Sequence, residues 1–200
     1  MQYALMLESG TVFMNAMFEA AKEICDYMQS RHWKFCIIGG LAVVRWGEPR
    51  LTQDADLSLL TGFGEEEPFA AELLARFKGR LGDNTLGFAL TNRVLLLHAS
   101  NGVPLDVAFS ALDFEVEMME RASAFEFAPD VVLPTCSAED LFIMKAFAGR
   151  AKDWLDVDGL VVRQAAKLDC AYILKHLEPL CELKEAPEIM EQARKRLGLL

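Results

Sequence analysis

Three aspartates and a pair of glycines are the residues of this chain whose types and spacing could do chemistry. Asp54 and Asp56 flank a single residue, and Asp106 stands alone inside the apolar run Pro104-Leu105-Asp106-Val107-Ala108-Phe109. On an extended strand a period of two puts Asp54 and Asp56 on one face. Two carboxylates side by side repel unless a cation lies between them. An acid in the middle of a hydrophobic strand has a desolvation cost, which it offsets by pairing or by binding a metal. If the strand of Asp106 neighbours the strand that follows Asp54, the three carboxylates converge. Upstream, the apolar run Phe35 to Ile38 ends in Gly39-Gly40, and a hydrophobic segment able to start a helix follows. That is a strand, a tight turn and a helix N-terminus, where free N–H groups and the helix dipole favour a phosphate. A phosphate cradle facing a carboxylate pair suits a metal-dependent enzyme acting on a nucleoside triphosphate.

The elements that must position these groups follow from periodicity. An amphipathic helix runs from Thr11 to about Ser30, with Gly10 or Thr11 at its start. Phe35 to Ile38 is a first strand, Leu41 to Trp46 a short helix closed by Gly47 and Pro49, and Ala55 to Leu60 a second strand. Thr61 to Pro68 reads as a loop and Phe69 to Lys78 as a helix. Phe88 to Leu90 and Val94 to His98 read as strands, and Ser100-Asn101-Gly102 is a turn leading into a strand from Pro104 to Phe109, so the short spacing implies an antiparallel hairpin. A helix over Leu112 to Arg121 and two extended pieces, Ala124 to Phe127 and Val131 to Pro134, complete this part. From Ser137, which with Asp140 forms a variant of the capping box, the chain reads as helical: Leu141 to Ala148, Asp153 to Ala166, Cys170 to Leu183 and Pro187 to Leu197. The pattern implies an α+β fold, a mixed sheet flanked by helices over residues 1–134 with a helical region over 135–200.

With 52% hydrophobic and 25% charged residues, the composition is that of a globular protein. A net charge of -10 argues against broad electrostatic binding of a nucleic-acid backbone, though not against a local basic pocket. The acidic clusters Glu65-Glu66-Glu67 and Glu115 to Glu120 read as solvated faces. Five scattered cysteines without C-x-x-C spacing fit buried thiols in a reducing cytoplasm. No signal peptide and no transmembrane run is recognisable, so no membrane partner is expected. His32, His98 and His176 share no pattern, and G-x-S-x-G, Walker and G-x-G-x-x-G motifs are missing from the sequence.

The order of these motifs resembles the nucleotidyltransferase superfamily of DNA polymerase beta: the glycine pair, then Arg50-x-Thr52-x-Asp54-x-Asp56, then a lone aspartate in a later strand. The block Ser137-x-Glu139-Asp140-Leu141-x-x-x-Lys145, followed by Gly149-Arg150-x-Lys152-Asp153-x-x-Asp156, resembles its AbiEii/AbiGii branch, which includes toxins of toxin–antitoxin systems. Two departures stand out. Gly40 occupies a position where the family commonly has serine, which removes a hydroxyl contact to phosphate, and Ala55 stands between the acids in place of a bulky aliphatic residue.

The resemblance implies transfer of a nucleoside monophosphate from a nucleoside triphosphate, ATP among the candidates, to a hydroxyl on a tRNA end, a protein or a small molecule. It further implies that Asp54 and Asp56 hold two Mg2+ ions, or Mn2+ in their place, with Asp106 binding the catalytic one. Gly39, Gly40 and Lys145 would hold the triphosphate, and Arg50, Thr52, Arg150 and Lys152 are nucleotide-binding candidates. Asp153 and Asp156 share a helix face from which they could orient Lys145 or Arg150. An antitoxin protein is the further partner it suggests. Plainer readings stand beside these: a non-catalytic nucleotide- or partner-binding module, Asp54 as a turn residue or cap, Asp106 paired with Arg93 across the hairpin, Lys145 as a snorkelling surface residue, and Arg150 to Asp156 as a surface salt-bridge cluster.

Overall fold

Burial alternates along the central strands as their sequences demand. Ala55, Leu57 and Leu59 are fully buried, as are Leu95, Leu97, Leu105 and Val107, while Asp56 and Asp106 on the alternate positions are only half-buried. A computed structural model describes residues 2–164 and 167–199, and the chain forms two compact units. The first runs up to Leu41 and from Leu51 to Thr135; the second comprises Ala42–Arg50 and the chain from Cys136 onward.

The first unit contains α1 (Gln2–Ser30), β1 (Phe35–Ile37), the start of α2 (Gly39–Trp46), β2 (Ala55–Leu60), α3 (Glu66–Arg76), β3 (Lys78–Gly79), α4 (Thr85–Asn92), β4 (Val94–His98), β5 (Pro104–Ser110), α5 (Asp113–Arg121), β6 (Ser123–Ala128) and β7 (Val131–Thr135). Seven strands form one mixed sheet in the order β3-β4-β5-β2-β1-β7-β6. β2 runs antiparallel to β1 and parallel to β5, and the β4–β5 pair is the expected antiparallel hairpin. Met17, Ala21, Ile24 and Met28 form the buried stripe of α1 and join Leu57, Leu59, Leu105 and Val107 in the main core. That core occupies one face of the sheet, so β2 and β5 turn Asp56 and Asp106 to the other.

In the second unit α6 (Ala138–Ala148), α7 (Ala151–Gln164), α8 (Cys170–Lys184) and α9 (Pro187–Arg196) pack as a helical group. The box at its start is present: Ser137 Oγ accepts from Asp140 N at 3.1 Å and Asp140 Oδ2 accepts from Ser137 N at 3.2 Å. Gly149, at φ 69°, ends α6 in the left-handed conformation that glycine adopts without cost.

Several sequence expectations are corrected. Phe88 to Leu90 lie in α4, not in a strand, because three apolar residues are too few to reveal a period. The first helix begins at Gln2, so Gly10 and Thr11 lie inside it. Phe69 to Lys78 resolves into a helix that starts at Glu66 and a short strand at Lys78. Glu66 is not solvated: it is buried against Arg93. The expected end of the helix from Asp153, at Ala165 and Ala166, lies outside the described residues. The five cysteines form no disulfide, and among the described residues no helix is long and apolar enough to cross a membrane.

Candidate active site

The glycine corner and the first acid pair are built by one antiparallel contact. Ile38 N donates to Asp56 O at 2.9 Å, which carries the β1–β2 pairing one step past the strand end and sets Gly39 beside Asp56. Gly39 has φ +58°, and a Cβ on it would lie 1.9 Å from Asp56 Oδ2, so both conformation and space require glycine. Gly40 N donates to Asp56 Oδ2 at 3.2 Å. The N-terminus of α2 therefore faces a carboxylate, as its dipole favours. Thr52 is buried, and its hydroxyl hydrogen is shared between Asp54 Oδ1 and Asp54 O, each at 3.2 Å.

Parallel pairing brings in the third acid. Asp56 and Asp106 are direct register partners on β2 and β5, which places their side chains on one face of the sheet. Ligand oxygens of Asp54, Asp56 and Asp106 all lie within 4.8 Å of one another. Burial pushes the Asp106 carboxyl above the ordinary carboxylate range; the Arg80 guanidinium opposes that shift and the neighbouring Asp54 charge adds to it. Three hard carboxylate oxygens, mutually repelling and partly desolvated, fit a hard divalent cation such as Mg2+ or Mn2+, for which Asp54, Asp56 and Asp106 would be the ligands.

Asp106 does have an ion-pair partner, but it is Arg80 and not Arg93. Arg93 instead pairs with Glu66 and donates to Phe109 O at 2.9 Å. Sequence reasoning missed Arg80 because β3 has only two residues. The alternation of Lys78 and Arg80 around Gly79 was the one available signal.

The remaining candidates gather in the second unit. Lys145 is buried, not snorkelling, and its Nζ lies 3.3 Å from Asp153 Oδ1 and 2.8 Å from Asp156 Oδ2. Arg50 grips Asp156 with two donors, Nε at 2.7 Å and Nη2 at 2.9 Å. Arg150 reaches Asp153 through Nε at 2.5 Å and Nη2 at 3.2 Å. Asp153 and Asp156 thus hold Lys145, Arg50 and Arg150 together, three cations on two carboxylates. Burial pushes both acids up, and the hydrogen bonds and charges of these cations more than reverse it, leaving both below the ordinary range. Lys152 is exposed.

A family model for AbiEii, described as the nucleotidyl transferase AbiEii toxin of a type IV toxin–antitoxin system, matches residues 33–180. No curated protein sequence matches the chain. Among solved structures, an antigenic nucleotidyltransferase-like protein from Paracoccidioides brasiliensis is similar with a TM-score of 0.52 at 14% identity, over 90% of this chain and 93% of that one. At that identity the likeness shows the fold. The lincosamide antibiotic adenylyltransferase LnuA, solved with lincomycin, aligns with a TM-score of 0.46 at 15% identity over 69% of this chain and 92% of its own. The antibiotic-resistance factor ANT(2'')-Ia aligns with a TM-score of 0.46 at 16% identity over 89% and 94%.

Proposed function

The chain belongs to the AbiEii family of nucleotidyl transferases, and from that premise we propose that it moves a nucleoside monophosphate from a nucleoside triphosphate to a hydroxyl acceptor, using divalent metal held by Asp54, Asp56 and Asp106. In this reaction the acceptor oxygen bonds to the α-phosphorus, the bond from that phosphorus to the bridging oxygen breaks, and pyrophosphate leaves. Bound Mg2+ or Mn2+ would neutralise charge on the entering and leaving oxygens. Asp106 takes the proton of the attacking hydroxyl. Gly39 and Gly40 let the start of α2 approach the phosphates without a side chain in the way. Lys145, Arg50 and Arg150 are the cations we propose for nucleotide binding, as the family resemblance implies.

The observation that carries this reading is the convergence of three carboxylate ligand atoms within 4.8 Å. Toxicity relieved by a cognate antitoxin, with a tRNA end or a protein side chain as acceptor, is the biological role we propose from the family. Incubation with each labelled nucleoside triphosphate, Mg2+ and either bulk tRNA or cell lysate tests it. Metal-dependent label on a macromolecule supports transfer. Label that stays in the nucleotide pool, with nucleotide still bound, would mark a binding module instead.

A further inference from the structure

Arg80 is paired with an acid of the triad, yet the proposed chemistry does not use it. Its Nη2 pairs with Asp106 Oδ1, its backbone N donates to Leu96 O at 3.0 Å, and its buried Nε has no acceptor among the described residues. The following turn is fixed as well: Leu81 N donates to Thr85 Oγ1 at 3.0 Å, and Thr85 Oγ1 donates to Gly82 O at 2.8 Å. This corner is built, and it aims a permanently charged guanidinium at one of the three converging carboxylates. Leu96, whose carbonyl anchors the Arg80 backbone, is the register partner of Asp106 across β4 and β5. Arg80 therefore reaches Asp106 across one intervening strand.

We propose that Arg80 is a built-in competitor of the divalent cation, an inference that rests on the triad being the metal site. Charge counting shows why. Three carboxylates carry -3 and Arg80 brings them to -2, the charge that a single divalent ion neutralises. A guanidinium on Asp106 also occupies an oxygen that a chelating cation would use. Arg80 relieves the repulsion among the acids before metal arrives, and yields part of Asp106 once it does. If Arg80 merely oriented Asp106 for the metal, its removal would weaken metal binding. As a competitor, its removal must tighten it. A unit charge about 5 Å from a divalent ion weakens binding about tenfold even at the dielectric constant of water.

The test is Mn2+ binding to the full chain without nucleotide, read by electron paramagnetic resonance of free Mn2+, for wild type and Arg80→Gln, with unfolding of both in EDTA. Arg80→Met, a neutral side chain of similar reach, replaces Gln if that variant does not fold. The expected result is Mn2+ affinity about tenfold tighter in the variant, a lower midpoint of unfolding than wild type in EDTA, and a larger rise on adding Mn2+. Wild type that binds Mn2+ while the variant binds it equally or more weakly overturns the role of Arg80 and leaves the triad as the metal site. If neither protein binds Mn2+, the triad reading and the role of Arg80 both fall.

Discussion

Thr52 fills the space that a side chain on Gly40 would need: a Cβ built on Gly40 would lie 2.2 Å from Thr52 Oγ1 and 2.6 Å from Thr52 Cβ. The same hydroxyl donates to Asp54, so one threonine links the start of α2 to the first carboxylate. Position 40 itself carries no hydroxyl. The structure shows Thr52 Oγ1 occupying the adjoining space.

This pair makes a prediction for stability. Rotating Thr52 about χ1 would move Oγ1 away from an added methyl but not Cβ, so Gly40→Ala should destabilise by about 1–3 kcal/mol, the usual cost of overpacking. Thr52→Gly in the same chain removes the three atoms nearest the added methyl and should recover at least about 1 kcal/mol of that loss, a coupling measured in a urea-unfolding double-mutant cycle. Strict additivity of the two changes would show that the space is not shared.

Asp54 separates a metal role from a structural one. Asp54→Asn keeps an oxygen to accept from Thr52 and removes one of three mutually repelling charges. In EDTA its stability should therefore equal or exceed that of wild type, within about 0.5 kcal/mol if unchanged. The rise in unfolding temperature on adding Mg2+ should vanish, together with metal-dependent transfer. A loss of several kcal/mol in EDTA would instead mark Asp54 as a structural cap.

The buried cluster of the second unit predicts an asymmetry between two of its cations. Lys145 is buried between two buried carboxylates, so Lys145→Met should cost about 3–5 kcal/mol, the range for breaking a buried pair. Arg150 has a side chain 62% exposed, although it meets the same Asp153. Solvent screening should hold the cost of Arg150→Ala to about 1 kcal/mol or less. Urea unfolding of the full chain ranks the two, and equal costs would contradict the burial assigned to Lys145.

Local chemistry accounts for what could be read from the sequence. Alternation along Ala55–Leu60 and Pro104–Phe109 was enough to give each acid a face, and the Ser137–Asp140 box announced its helix. That Asp56 and Asp106 share a face depended on β2 lying beside β5 in parallel, a long-range pairing that no local period encodes. The plainer alternative that paired Asp106 with Arg93 fails for the same reason. Arg93 is near in sequence and at a hairpin end, whereas Arg80 reaches Asp106 only because β3 joins the far side of β4. For Lys145 the plainer reading of a surface lysine fails, while the shared helix face of Asp153 and Asp156 had already offered it two carboxylate partners from the next helix.

Acid should weaken the second unit through Asp153 and Asp156. Both carboxyls are desolvated, yet hydrogen bonds from Arg150, Arg50 and Lys145 hold them below the ordinary range, so both lose protons more readily in the folded chain than in the unfolded one. A depressed folded-state pKa gives stability that is fully present above the unfolded value, about 3.9 for aspartate, and is lost as pH falls through the folded one. Asp156→Asn should therefore be less stable than wild type near neutrality, and the gap should narrow below about pH 4 as the wild-type carboxyl is protonated. Unfolding midpoints of the two proteins measured from pH 7 to pH 3 test this. A gap that stays constant across that range would mean that Asp156 contributes through packing and not through its charge.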